Sequence, residues 1–190
     1  MKKSQLAVIV CLMLCLPLLH GCFVPVVAGA GTGVLVAEDR RSTGTIIEDQ
    51  TIEGKVRSRI GDKYDDQVHV DVVSYNRFVL LVGEVPSQEV KDSIGVIALG
   101  VENVRNVQNE LVIGPNTSAS THANDAYLTS KVKSRFVSEN KFQPNHVKVI
   151  TEDSVVYLVG LVTKKEADDA AEIASTTGGV QKVVKVFEYM

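Results

Sequence analysis

The sequence predicts an α+β fold built twice: two tandem units, each with the order α-β-β-α-β and each packing two helices on one face of a three-stranded mixed sheet. Three observations predict it. A repeat with a period of about 76 residues opens at Asp49 and again at Asp125. Within each copy the apolar period changes from helical to alternating and back. Each copy then closes on a valine-rich segment, Val104 to Ile113 and Val180 to Tyr189, that reads as a third strand.

At the N-terminus, Met1 to Leu19 has the layout of a secretory signal: positive Lys2 and Lys3, an apolar run from Leu6 to Leu19, and the small Gly21 at the expected cut. Pro17 and Pro25, with Gly29, Gly31 and Gly33, interrupt the run of about 20 helical residues that a membrane span needs. Leu18, Leu19, His20, Gly21 and Cys22 resemble the lipobox of bacterial lipoproteins. That resemblance implies cleavage of residues 1–21, then S-diacylglycerol and an N-acyl chain such as palmitate on Cys22. Cys11 and Cys15 lie in the discarded signal, so no disulfide is expected within the mature chain.

Residues 22–48 read as a flexible tether, broken by Pro25 and by glycines including Gly44. Gly29, Gly31 and Gly33 lack the third glycine and the βαβ setting of a dinucleotide loop. Removing the signal takes away Lys2 and Lys3 and no acid, so a net charge of −3 becomes −5. Nucleic acid is therefore not an expected partner. The acidity lies in the first unit, residues 49–113; in the second, residues 125–190, acids and bases balance.

The first unit opens on an amphipathic helix. Asp49 is positioned to cap, and Ile52, Val56 and Ile60 recur on one face; Asp125, Leu128, Val132 and Phe136 repeat the pattern after a linker at 114–124. Alternating Val68, Val70 and Val72 and the run Phe78 to Val82 form a hairpin, as do Val147, Val149 and Thr151 with Val155 to Val159. Second helices run from Ser87 to Leu99 and from Lys164 to Thr177, the latter with a capping box at Thr163 and Glu166. Gly100, Gly178 and Gly179 supply left-handed helix ends. Units this small bury thin cores, and pairing the two would help.

Val79, Leu81, Gly83, Val85, Gly100, Val101, Val104, Val107 and Asn109 carry a resemblance to the BON domain family. Tyr157, Leu158, Gly160, Val162, Gly179, Val180 and Val183 repeat it. Lys185 departs from the pattern where the first copy has Asn109. With the lipobox, and with Asp39, Arg40, Arg41, Ser42 and Gly44 ahead of two such units, the chain resembles dual-BON-domain outer-membrane lipoproteins. The resemblance implies a lipid-anchored, periplasm-facing protein that binds anionic phospholipid through its second unit, gathers at the division site and supports envelope integrity. An alternative is a periplasmic adaptor for outer-membrane assembly or for cell-wall hydrolases.

The two opening helices differ on their outward faces. With Leu128, Val132 and Phe136 inward, Tyr127 and Val137 project outward near Lys131, Lys133, Ser134 and Ser138, whereas the first copy has Thr51 and Gly61. An aromatic, an aliphatic and lysines suit the boundary between headgroups and acyl chains. The competing reading is an interdomain contact through the same face, and Phe142 is open between surface and core. No catalytic, metal or cofactor site is expected. His69 and His146 occupy matching positions, His122 lies in the linker, and all three read as solvated.

Overall fold

The computed structural model describes residues 39–190. The expected signal, Cys22 and the tether up to residue 38 lie outside the described residues. The first unit comprises α1 (Thr43–Tyr64), a 3-10 turn (Asp65–Gln67), β1 (His69–Tyr75), β2 (Phe78–Val85), α2 (Gln88–Leu99), β3 (Asn106–Asn109) and β4 (Val112–Ile113). The second comprises α3 (Ala119–Glu139), a 3-10 turn (Pro144–His146), β5 (Val147–Glu152), β6 (Val155–Val162), α4 (Lys164–Ser175) and β7 (Lys182–Tyr189). The expected α-β-β-α-β order is present in both copies.

Both opening helices begin earlier than the sequence pattern places them. Ser42 caps α1, its hydroxyl accepting from the Thr45 amide at 3.1 Å, and Ser118 caps α3 through the Thr121 amide at 3.3 Å. Residues 43–48, expected in the tether, are therefore helix, and the linker shrinks to 114–118. Asp49 and Asp125 are not caps but buried residues one and a half turns inside. Each reaches across to its own hairpin. Asp49 accepts hydrogen bonds from the Asn76 and Arg77 amides at 2.8 and 2.7 Å and from the Ser74 hydroxyl at 2.8 Å. Asp125 accepts from the Asp153 and Ser154 amides, both at 2.9 Å. Asn76 and Arg77 have φ of 51° and 63°, and Asp153 and Ser154 have 45° and 62°, the two successive left-handed residues of a tight hairpin turn. None of the four is glycine, so the carboxylate beneath each turn holds the strained pair.

In the first sheet β2 is central, antiparallel to β1 and parallel to β3 and β4; in the second, β6 lies between antiparallel β5 and parallel β7. The last strand of the first unit is broken where that of the second runs straight. The Asn109 side chain donates to the Lys91 carbonyl at 2.8 Å and accepts from the Leu111 amide at 3.3 Å, and Leu111 turns into the core. Lys185 in the second copy instead pairs with Asp168 at 2.9 Å and leaves the strand continuous. Helix ends differ from expectation at Gly100, which has φ −78°; Gly179, at φ +104°, does adopt the left-handed form.

Each sheet buries one face against its own helices, around Ile52, Val56, Leu81 and Ile94 in one unit and Val132, Phe136, Leu158 and Ile173 in the other. The opposite faces pack on each other. Val73, Tyr75, Leu80 and Val82 join Tyr157, Val159 and Val186 in a third core shared by the two units. Polar contacts rim it: Lys148 with Glu53 at 3.1 Å, Asn76 with Glu188 at 2.7 Å, and Arg105 with Glu188 at 3.3 Å. Arg40, ahead of α1, crosses to the second unit and donates to the Leu161 carbonyl and to Glu166, each at 2.8 Å.

Asp49→Ala strips a buried turn of three hydrogen bonds and Arg41 of its 2.9 Å ion pair, and should cost about 3 kcal/mol. Asp125→Ala removes two bonds and should cost less. Urea denaturation of the two variants beside the parent protein measures both the size and the order.

Candidate functional site

The geometry of α3 follows from what it buries. Asp125, Leu128, Val132 and Phe136 point into the second unit, which turns the next residues on the helix toward solvent. Tyr127 is 62% and Val137 64% exposed. Lys133, Ser134 and Ser138 are also exposed, and Ser138 donates to the Arg135 carbonyl at 3.2 Å. Lys131 is half-buried. Its ammonium donates to the Gly178 carbonyl at 2.8 Å and lies 5.8 Å from the centre of the Tyr127 ring. The helix therefore presents two separated apolar side chains with a fixed lysine beside one and an uncommitted lysine, Lys133, beside the other.

The interdomain contact that competed for this face is made by the sheets instead. Val137 and Lys133 do reach the junction at one edge, where they line a cleft of about 420 Å³ with Arg41, Tyr75 and Lys148. Tyr127 takes no part in it. Phe142 belongs to the core, edge-on to Phe136 at 4.9 Å. On α1 the corresponding Thr51 and Gly61 are exposed and offer no apolar counterpart. Ile47 is 59% exposed there, a residue hidden from the sequence pattern because its segment read as tether.

The histidines depart most from expectation. His146 is buried, its Nδ1 3.3 Å from Glu166. His69 and His122 are in contact, with ring centres 4.7 Å apart. His69 Nδ1 lies 3.1 Å from Glu84 and 3.8 Å from Glu152, carboxylates brought from the two different units. Burial, with the nearby charges of Glu84, Asp71 and Asp125, pushes the Glu152 carboxyl up to about 7. The signal for this cluster was present in the repeat. Gly83 and Gly160 are equivalent, each pressed against the carbonyl of the matching histidine, so Glu84 stands where the other copy has Leu161. Glu152 likewise precedes its turn where the first copy has Tyr75.

The clamp at Arg40 shifts a carboxyl the other way. The Arg40 guanidinium, with the Thr163 amide and hydroxyl, holds Glu166 at about 2. A carboxylate lowered from 4.5 on folding contributes stability above pH 4.5 and loses it as pH falls toward 2. Glu166→Gln should therefore lower the unfolding free energy at pH 7 by roughly 1–2 kcal/mol, part of the ion pair being screened by solvent. The gap between variant and parent should close below pH 4.5, which unfolding curves across pH 2–7 will show.

Comparison with known proteins places these features. The BON domain family matches residues 48–115 and 124–190. The chain is 43% identical over 176 residues to the outer membrane lipoprotein DolP of Haemophilus influenzae, covering 90% of each. It is 33% identical to a 21 kDa hemolysin of Actinobacillus pleuropneumoniae, covering 80% of this chain and 79% of that one. To the osmotically-inducible protein Y of Escherichia coli it is 31% identical, covering 80% and 77%.

Proposed function

The chain belongs to the BON domain family, with two copies in tandem, and on that premise we propose that it is an outer-membrane lipoprotein whose second domain binds anionic phospholipid. The observation that carries the reading is the exposed pair Tyr127 and Val137 on α3, set beside Lys131, Lys133, Ser134 and Ser138 and absent from the equivalent face of α1. Similarity to a protein named an outer membrane lipoprotein supports the location. Among the described residues no helix is long and apolar enough to cross a membrane. The lipobox-like stretch Leu18, Leu19, His20, Gly21 and Cys22 supports attachment through acyl chains on Cys22, with the folded part facing the periplasm.

A tyrosine at a membrane surface buries its ring among the upper acyl carbons and keeps its hydroxyl wet. The Lys131 ammonium, held beside that ring, meets the phosphates as the ring enters. Tyr127 and Val137 would each contribute roughly 1–2 kcal/mol on partial burial, and each lysine near an anionic surface about 1 kcal/mol. The total, roughly 4–6 kcal/mol, corresponds to about millimolar affinity or somewhat tighter. That is weak for a free protein and sufficient for one already anchored, because the second contact is intramolecular. Support of envelope integrity and enrichment at the division site would follow from a preference for membrane rich in anionic lipid.

A second reading, a periplasmic adaptor for outer-membrane assembly or cell-wall hydrolases, is favoured by Val96 and Leu99. These are 71% and 56% exposed, one turn apart on α2 of the first domain. The two readings use different surfaces and separate cleanly. Tyr127→Glu and Val137→Glu should each reduce binding of the purified folded part, residues 39–190 without acyl chains, to phosphatidylglycerol-containing vesicles about tenfold or more, measured by flotation, with neutral vesicles unbound throughout. Unchanged binding by both variants would reject the α3 surface; lost function in Val96→Glu with intact flotation would favour the adaptor.

A further inference from the structure

We propose that His69, Glu84 and Glu152 form a divalent-cation site, suited to Zn²⁺, that ties the two BON domains together. One ligand atom from each residue can be chosen so that all three lie within 4.8 Å of one another. Tetrahedral zinc bonds of about 2.0–2.2 Å put neighbouring ligand atoms about 3.3–3.6 Å apart. The observed His69 Nδ1 separations of 3.1 Å to Glu84 and 3.8 Å to Glu152 bracket that range. The donor set, an imidazole nitrogen and two carboxylates, matches a borderline cation better than a hard one. No metal site is expected from the sequence, because the ligands come from separate copies of the repeat and meet only in the fold.

A second observation points to a ligand. The Glu152 side chain is only 9% exposed, and its Oε1, the atom aimed at His69, accepts no hydrogen bond. A buried carboxylate oxygen without a donor is costly unless something cationic or protic completes it. The surroundings add acid, not base: Asp71 and Asp125 line the adjoining cleft of about 460 Å³. Arg57, also on that cleft, spends its guanidinium on the Val72 carbonyl at 2.6 Å and on Glu53 at 3.7 Å. The neighbouring side chains are arranged as supports. The Thr117 amide donates to Glu84 at 3.3 Å. The Thr117 hydroxyl engages His122 Nε2 at 3.1 Å, which holds that ring against His69 at 4.7 Å between centres.

At the equivalent positions the other copy has Leu161 for Glu84 and Tyr75 for Glu152. Two independent replacements of apolar or aromatic residues by acids, meeting at one histidine, are what a metal bridge needs and what packing alone disfavours.

The test uses the purified, lipidated mature protein in detergent, stripped by chelator and titrated calorimetrically with Zn²⁺. One Zn²⁺ per chain should bind, with a higher unfolding midpoint and no displacement by millimolar Mg²⁺ or Ca²⁺. His69→Ala and Glu152→Gln should each weaken binding about tenfold or more. Glu152→Gln without metal should unfold at or above the parent's midpoint, which separates a lost ligand from a damaged fold. Absence of stoichiometric binding, equal binding by both variants, or displacement by Mg²⁺ or Ca²⁺ would each overturn the assignment.

Discussion

Face-to-face packing of the two sheets is the contact on which the rest of this molecule depends. A BON unit of this size, with two helices on one face of its sheet, has a second sheet face to cover and little core with which to hold itself together. Here each unit covers the other. Leu80 and Val82 on β2 and Tyr157 and Val159 on β6 lie in the middle of their sheets and bury against one another. The central strands are thereby buried on both faces, like strands sandwiched between layers in larger folds. This arrangement places helices on the two outer surfaces and leaves the outward face of α3 open to solvent. A contact between helices would have consumed the face that carries Tyr127.

Duplication makes candidate functional residues visible as departures from symmetry. Structural roles are kept in both copies: Asp49 and Asp125 under the hairpin turns, Gly83 and Gly160 against the histidine carbonyls, hydroxyl caps on the opening helices. A glycine is needed at those two positions because an added Cβ would lie 2.2 or 2.3 Å from a carbonyl oxygen. What differs between copies is not required by the fold. Tyr127 against Thr51, Val137 against Gly61, Glu84 against Leu161 and Glu152 against Tyr75 are such differences. The first two are exposed on one helix and the last two are buried at one junction.

Much of the architecture was legible because local patterns decide it. The period of the apolar residues set the element types, and the order of elements followed from the repeat. Helix starts were not legible. Residues 43–48 and 119–124 carry too few apolar side chains to show a period, and the serine caps at Ser42 and Ser118 competed with better-placed aspartates. Those aspartates were misread because a carboxylate capping a distant turn looks, in sequence, like one capping its own helix. The sheet interface did leave a trace. Phe78 to Val82 and Val155 to Val159 are apolar at every position, where a strand with one wet face would alternate. Of the site, the α3 surface could be read by helical phase. Of the His69, Glu84 and Glu152 cluster the repeat marks only the departures at Glu84 and Glu152, and not their meeting, since its members come together only when the sheets do.

The path of the chain ahead of α1 bears on how a weak surface can suffice. Arg40 belongs in sequence to the approach to the first domain, yet its guanidinium is held by Glu166 and the Leu161 carbonyl of the second. The chain arriving from the proposed anchor at Cys22 is thus fastened to the domain that carries the α3 surface. Between Cys22 and Asp39 the backbone can reach at most about 60 Å, which would confine the second domain near the bilayer with Cys22 acylated as proposed. Within that volume the effective concentration of membrane would be high, and the proposed contact of roughly 4–6 kcal/mol, negligible for a diffusing protein, would be populated for much of the time. On the proposed function, orientation rather than capture would then be the task of Tyr127 and Val137. Rigidity between the domains would matter for the same reason: with α3 on the lipid as proposed, the sheet interface would fix which face of the first domain is turned away from it.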